Sequence, residues 1–158
     1  MAQIQINIGS LGEKIVARHL KSKGHSVLEH GSRAGKLELD LYTKDGGGVF
    51  HLVEVKTSAV SVCSCDLTSF TMSEKTRRRL PIRSAKGWAI RISSGDGARV
   101  SPIDSRFNHK KLFHMKQLAM GKQVSVSGSS SFSVDYARVE LCFLHRVGII
   151  TLFENVEL

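Results

Sequence analysis

Residues 49–58 read VFHLVEVKTS. Val49, Phe50, Leu52, Val53 and Val55 give the apolar density of a buried β-strand, and KDGGG at residues 44–48 places a turn before it. Glu54 and Lys56 interrupt that run. Side chains alternate faces along a strand, so these two point one way and Val55 the other. Burying either charge is costly unless it is compensated, so this strand needs partners from elsewhere in the chain.

The first partner lies just upstream. KLELDLY, residues 36–42, alternates: Leu37, Leu39 and Leu41 on one face, Lys36, Glu38, Asp40 and Tyr42 on the other. With the Gly-rich turn it forms the other arm of a hairpin with residues 49–58. Cross-strand neighbours approach within a few ångströms, which brings Glu54 to Asp40; a simple register leaves open whether Glu38 faces it instead. Two converging carboxylates suit a hard divalent cation such as Mg²⁺, with Mn²⁺ as a substitute. Such a cation activates a bound water and offsets charge on a phosphoryl oxygen. Lys56, on the face of Glu54, is placed to orient that water or stabilise developing negative charge. This is the equipment of phosphodiester hydrolysis. The bland reading is a surface Glu54–Lys56 ion pair, contributing about 0–1 kcal/mol, and an exposed Asp40. On an otherwise apolar strand the active-site reading is preferred.

Before the hairpin, residues 10–23 form a helix with Leu11, Ile15, Val16 and Leu20 on its apolar face. Ser10-Leu-Gly-Glu13 matches a capping box, and Gly24 suits the position after the helix. Glu13 therefore has two readings, helix cap or site carboxylate. A short strand follows at residues 25–29. After the hairpin the pattern weakens over residues 58–104. SEKTRRRLPIRSAK is strongly basic and partly helical before Pro81, GWAIRIS is a strand, and ARVSPI is its partner. A second helix spans residues 104–120, capped by Asp104, with Phe107, Leu112, Met115 and Leu118 inward and Gly121 at its end. The Ser-rich VSVSGSSSFSV is a strand with a loose loop, and ARVELCFL and GIITLF close the chain as a hairpin.

The 158 residues carry 23 Lys plus Arg against 14 Asp plus Glu, a formal charge of +9. That balance favours a polyanionic partner. Lys75, Arg77, Arg78, Arg79, Arg83 and Lys86, together with Lys110, Lys111 and Lys116 on the second helix, are the candidate phosphate contacts. Trp88 is read as core. No apolar run approaches a membrane span, and the first ten residues lack the basic and apolar regions of a signal peptide. Three cysteines, Cys63, Cys65 and Cys142, suggest reduced thiols rather than a disulfide framework. The expectation is a cytoplasmic or nucleoid-associated protein, not secreted, with no membrane partner.

At Asp40, Glu54 and Lys56 the chain resembles the PD-(D/E)XK nuclease superfamily, whose signature is Asp, then Glu-x-Lys on the next strand. More narrowly it resembles the small YraN-like (UPF0102) proteins, related to archaeal Holliday junction resolvases. Gly12-Glu13 with Ala17, Leu20 and Gly24 resembles that family's opening helix; Glu38-Leu-Asp40-Leu, Val53-Glu-Val-Lys-Thr57, Arg138-Val-Glu-Leu141 and residues 150–156, ITLFENV, resemble its strands. Leu39 stands where the superfamily signature has proline.

The resemblance implies an α/β fold with a restriction-endonuclease-like αβββαβ core, its mixed central sheet flanked by helices. It implies one nuclease-like domain over residues 1–158, with a basic insertion at about 58–104. It further implies a Mg²⁺-dependent DNA endonuclease that resolves branched DNA in recombination and repair. Catalysis would rest on Glu13, Asp40, Glu54 and Lys56, with metal held by Asp40, Glu54 and the Val55 carbonyl. Cutting two strands with one site per chain calls for a homodimer. The alternative is a non-catalytic nucleic-acid-binding or assembly protein that keeps the fold. A third reading, an RNA-associated protein, has no RNA motif behind it.

Overall fold

Leu11, Ile15, Val16 and Leu20 recur at helical spacing, and they form the inner face of α1 (Ile8–Ser22). The computed structural model describes residues 7–34, 37–60, 89–94, 109–125, 131–143 and 146–156. The helix starts at Asn7, whose side-chain Oδ1 accepts a hydrogen bond from the Ser10 N–H at 3.1 Å. Ser10 is therefore not the cap, and Glu13 lies too far into the helix to serve a capping box. Asn7 competes successfully because a short side chain there reaches the third N–H of the first turn. Gly24 leaves the helix at φ +91°, as expected of a residue just past a helix end.

Six strands are present among the described residues. They are β1 (Ser26–Ala34), β2 (Leu37–Lys44), β3 (Phe50–Ala59), β4 (Ala89–Ser94), β5 (Phe132–Cys142) and β6 (Val147–Phe153). The second helix, α2 (His109–Ser125), falls between β4 and β5. One six-stranded sheet results, in the order β1-β2-β3-β5-β6-β4. The pairs β1/β2, β2/β3 and β5/β6 are antiparallel, and β3/β5 and β6/β4 are parallel. The sheet is mixed, and a buried cluster lies on each face. Ile15, Val16, Ala17 and Leu20 of α1 pack with Leu41, Val53, Val55, Val139, Leu141 and Ile150. Leu112, Met115 and Ala119 of α2 pack with Leu39, Tyr42, Leu52, Val134, Tyr136 and Phe153. This is the predicted α/β architecture, a mixed sheet between helices, compatible with a restriction-endonuclease-like core.

Several boundaries move. β1 runs to Ala34 rather than stopping near residue 29, because its ladder with β2, from Ser26 opposite Lys44 to Ala34 opposite Leu37, draws the polar GSRA segment into an edge strand. The expected common face of Leu39 and Leu41 is broken. Leu39 joins the α2-side cluster and Leu41 the α1-side cluster, so β2 turns over at Asp40. α2 continues through Gly121, which is exposed; a glycine inside a helix costs about 1 kcal/mol relative to alanine. β4 matches part of GWAIRIS but pairs with β6. The expected partner ARVSPI, the basic run of residues 73–86, Trp88, Asp104, Phe107, Cys63 and Cys65 lie outside the described residues. The closing hairpin of β5 and β6 is present. Among the described residues, no helix is long and apolar enough to cross a membrane.

Candidate active site

The site is made where β2 leaves β3. Their ladder begins beside the turn, at Lys44 opposite Phe50, and ends at Leu41 opposite Val53. The turn itself is held by Asp45, whose Oδ1 accepts the Val49 N–H at 2.8 Å. Past Leu41, β2 stays paired with β1 as far as Leu37, while β3 stays paired with β5 as far as Ala59. Each strand keeps its outer neighbour as the ladder between them stops. Continuing the register one step puts Asp40 opposite Glu54, which settles the choice against Glu38. Asp40 takes over from the missing ladder bond: its Oδ2 accepts the Val55 N–H at 2.7 Å.

Burial pushes the Asp40 carboxyl up to about 6, and the Glu54 charge adds to the rise. The Val55 N–H and Lys56 oppose it, and Glu13 contributes a smaller further rise. A carboxyl placed near a second carboxylate in a partly dry place ionises less readily, which is the direction seen at Asp40.

Glu54 is fully buried. A carboxylate taken out of water costs several kcal/mol unless it is paired. Here Lys56, two residues along the same strand, donates a hydrogen bond to Oε1. Lys111 comes from α2, with its Nζ 2.9 Å from Oε2. That second contact is coulombic rather than a directed hydrogen bond: Oε2 accepts no hydrogen bond from the described residues. Lys111 instead directs an N–H at the backbone carbonyl of Glu38, at 3.0 Å. Lys111 thus joins α2 to both strands across the end of their ladder.

Glu13 approaches from α1 on the opposite face. Its Oε2 accepts a hydrogen bond from His30 Nε2 of β1 at 3.0 Å, and it is felt by Asp40 as charge. The helix can come this close because residue 12 is glycine. A Cβ there would lie 1.9 Å from Thr57 Oγ1.

Of the residues predicted for catalysis, the structure therefore brings Asp40, Glu54 and Lys56 together. It sets Glu13 beside His30 at the edge of that group. Val55 supplies the N–H that Asp40 accepts. Glu38 is exposed. Lys110 and Lys116 are exposed on α2, whereas Lys111 turns inward. Lys75, Arg77, Arg78, Arg79, Arg83 and Lys86 lie outside the described residues.

As arranged, no group of three or more His, Cys, Asp or Glu side chains among the described residues is poised to hold a metal ion. Two carboxylates, Asp40 and Glu54, meet where the β2–β3 ladder ends. Glu54 Oε2 is sealed from water and accepts no hydrogen bond from the described residues, and Asp40, raised first by burial and then by the Glu54 charge, accepts the Val55 N–H. Hard oxygen donors of this kind suit Mg²⁺ or Mn²⁺.

Sequence reasoning missed two features. Neither His30 nor the inward turn of Lys111 has a local signal, since each depends on a contact between distant elements. It also missed a buried polar network at the other end of β3. His51 Nδ1 lies 2.6 Å from Asp135 Oδ2, and its Nε2 lies 3.5 Å from Asp45. Asp135 Oδ1 accepts from Ser133 Oγ and from the Asn155 N–H at 3.0 Å. Burial pushes the His51 pKa down, but the contacts with Asp135 and Asp45 together outweigh it and leave it raised. Ser133 donates to the aspartate and not to the histidine, so this is no nucleophile relay. The network ties the hairpin turn to β5 and to the chain end.

Comparison with known proteins gives one consistent family. Its sequence profile, described as "Uncharacterised protein family UPF0102", matches residues 12–109. A UPF0102 protein of Oleidesulfovibrio alaskensis is 33% identical over 91 residues, which is 58% of this chain and 42% of that protein. A UPF0102 protein of Corynebacterium efficiens is 40% identical over 50 residues, 32% of this chain and 41% of that protein. Another, of Chlorobaculum tepidum, is 40% identical over 52 residues, 33% of this chain and 40% of that protein. The chain spans about two fifths of the length of these relatives. No solved structure matches it.

Proposed function

The chain belongs to the UPF0102 family, and with that as premise we propose that it is a Mg²⁺-dependent DNA endonuclease hydrolysing phosphodiester bonds. The observation that carries this reading is the meeting of Asp40 and Glu54 beyond the last β2–β3 pair, with Lys56 bonded to Glu54. Asp40 and Glu54 would hold the cation, with the Val55 carbonyl as a further donor by resemblance to the PD-(D/E)XK nucleases. When bound, Mg²⁺ supplies a Lewis acid for the phosphoryl oxygen and an activated water. Lys56 holds the nucleophile in place and offsets charge as it develops on the phosphate. Glu13, through His30, fixes the wall of the site on the α1 side. The exposed Lys110 and Lys116, with the basic residues of the central segment, hold the phosphate backbone. A branched junction is the preferred substrate by resemblance, with two chains acting together.

A second reading has one observation in its favour. Both Glu54 oxygens already face lysine ammonium groups, which suits a nucleic-acid-binding protein that keeps the fold without cleaving.

The two are separated by incubating the purified protein with a labelled four-way junction, a linear duplex and a single strand, in Mg²⁺, Mn²⁺ or EDTA. Asp40→Asn and Lys56→Ala are run beside it. The proposal expects metal-dependent cleavage that both variants lose while still binding DNA. Binding with no cleavage on any substrate with either metal establishes the second reading.

A further inference from the structure

Glu54 has two oxygens, and each faces a cation. Oε1 accepts a hydrogen bond from Lys56, a neighbour on its own strand. Oε2 faces Lys111 at 2.9 Å, without a directed hydrogen bond. Lys111 also donates a hydrogen bond to the Glu38 carbonyl on β2, at 3.0 Å. A divalent cation shared by Asp40 and Glu54 must take an oxygen that one of these lysines now neutralises. The Lys56 contact is directed and local. The Lys111 contact is undirected and reaches in from another layer of the fold. We infer that Lys111 is a displaceable counter-cation of this site: its ammonium balances buried Glu54 in the metal-free protein, and metal binding moves it aside.

This inference rests on the reading of Asp40 and Glu54 as metal ligands, and it goes beyond that reading by giving the site an internal competitor. It explains why a fully buried carboxylate is tolerable without metal, since an unpaired charge there would be strongly disfavoured. The metal-free site is closed by protein charge. Lys111 sits on α2 beside exposed Lys110, so its release adds a positive charge to a basic rim. Metal loading and attraction for a phosphate then rise together.

The test needs no DNA and no turnover. Mn²⁺ is titrated calorimetrically into the full chain, as wild type, Lys111→Met, Lys111→Arg and Asp40→Asn. Methionine keeps the apolar stem and removes the charge; arginine keeps the charge. Lys111→Met is expected to bind Mn²⁺ at least about tenfold more tightly than wild type. Lys111→Arg should stay within about twofold of wild type, and Asp40→Asn should lose binding. Melting in EDTA checks folding. If Lys111→Met does not fold, Lys111→Gln, which retains a hydrogen-bond donor, carries the same expectation. Equal Mn²⁺ affinity in wild type and Lys111→Met overturns the inference and leaves the metal-site reading intact. No Mn²⁺ binding to any of the four overturns both.

Discussion

Asp40 shows how much the site costs the fold. Its pKa rises on folding from 3.8 to about 6, with burial as the main cause. The native protein therefore holds this proton more tightly than the unfolded chain. The stability contributed by the group falls as pH rises from about 4 to about 6, and the full penalty is present above that. At 1.36 kcal/mol per pKa unit, and allowing for partial screening by solvent, the penalty is about 2 kcal/mol. Asp40→Asn can keep the hydrogen bond from Val55 and carries no charge. Without metal, it is expected to raise the melting temperature at pH 8 by about 4–8 °C. The gain should vanish near pH 4. A melting series across pH checks it; a gain independent of pH would assign the effect to packing. The meeting of Asp40, Glu54 and Lys56 was legible because strand alternation and a short hairpin are local rules. Lys111 was legible as a basic residue but not as a partner of Glu54. Only the packing of α2 on the sheet brings it there, and no local pattern encodes that.

At the scale of elements, α1 and β3 set each other's position through Gly12. An added methyl group would meet Thr57 Oγ1 at 1.9 Å, its Cβ at 2.9 Å and its Cγ2 at 3.0 Å. Thr57 is β-branched and sits on a central strand, so its side chain has little freedom to yield. Gly12→Ala is expected to destabilise by about 1–3 kcal/mol through overpacking, lowering the melting temperature by roughly 3–10 °C. Gly46 in the turn has nothing within 4 Å of such a methyl group, and Gly46→Ala is the near-neutral control. If both glycines tolerate alanine equally, the close approach is not a constraint. The elements were legible where burial is dense: α1 shows a one-sided apolar face, and β3, β5 and β6 are near-continuous apolar runs. β1 was cut short because an edge strand need not bury both faces, so its polar end carries no periodic signal. β2 misled because its alternation is real on either side of Asp40 but changes face there, where the ladder with β3 no longer holds the pleat. The helix start was misplaced by three residues because Ser10 and Asn7 are both good caps, and only the helix geometry chooses between them.

Across the whole molecule the excess of basic residues, +9 in 158 residues, forecasts a salt-dependent interaction with nucleic acid. Each phosphate contact contributes about 0.9 to the slope of log affinity against log salt. Replacing exposed Lys110 and Lys116 with glutamine should reduce that slope by about 2 if both touch phosphate. Binding to duplex and junction DNA between about 50 and 200 mM salt gives the measurement. An unchanged slope would move α2 off the interface.

The strand order has a consequence for how the protein is made. Glu13, Asp40, Glu54 and Lys56 leave the ribosome before β5 and β6, on α1, β2 and β3. Yet β3 finds its second neighbour only in β5, with Phe50 opposite Phe132 and Ala59 opposite Leu141, and β4 finds its neighbour only in β6. Until β5 emerges, the strand bearing Glu54 is a bare, apolar edge, the kind that pairs with a neighbouring chain. Pairings so distant in sequence also form slowly. A nascent chain halted before residue 132 would hold every signature residue and still be prone to aggregate.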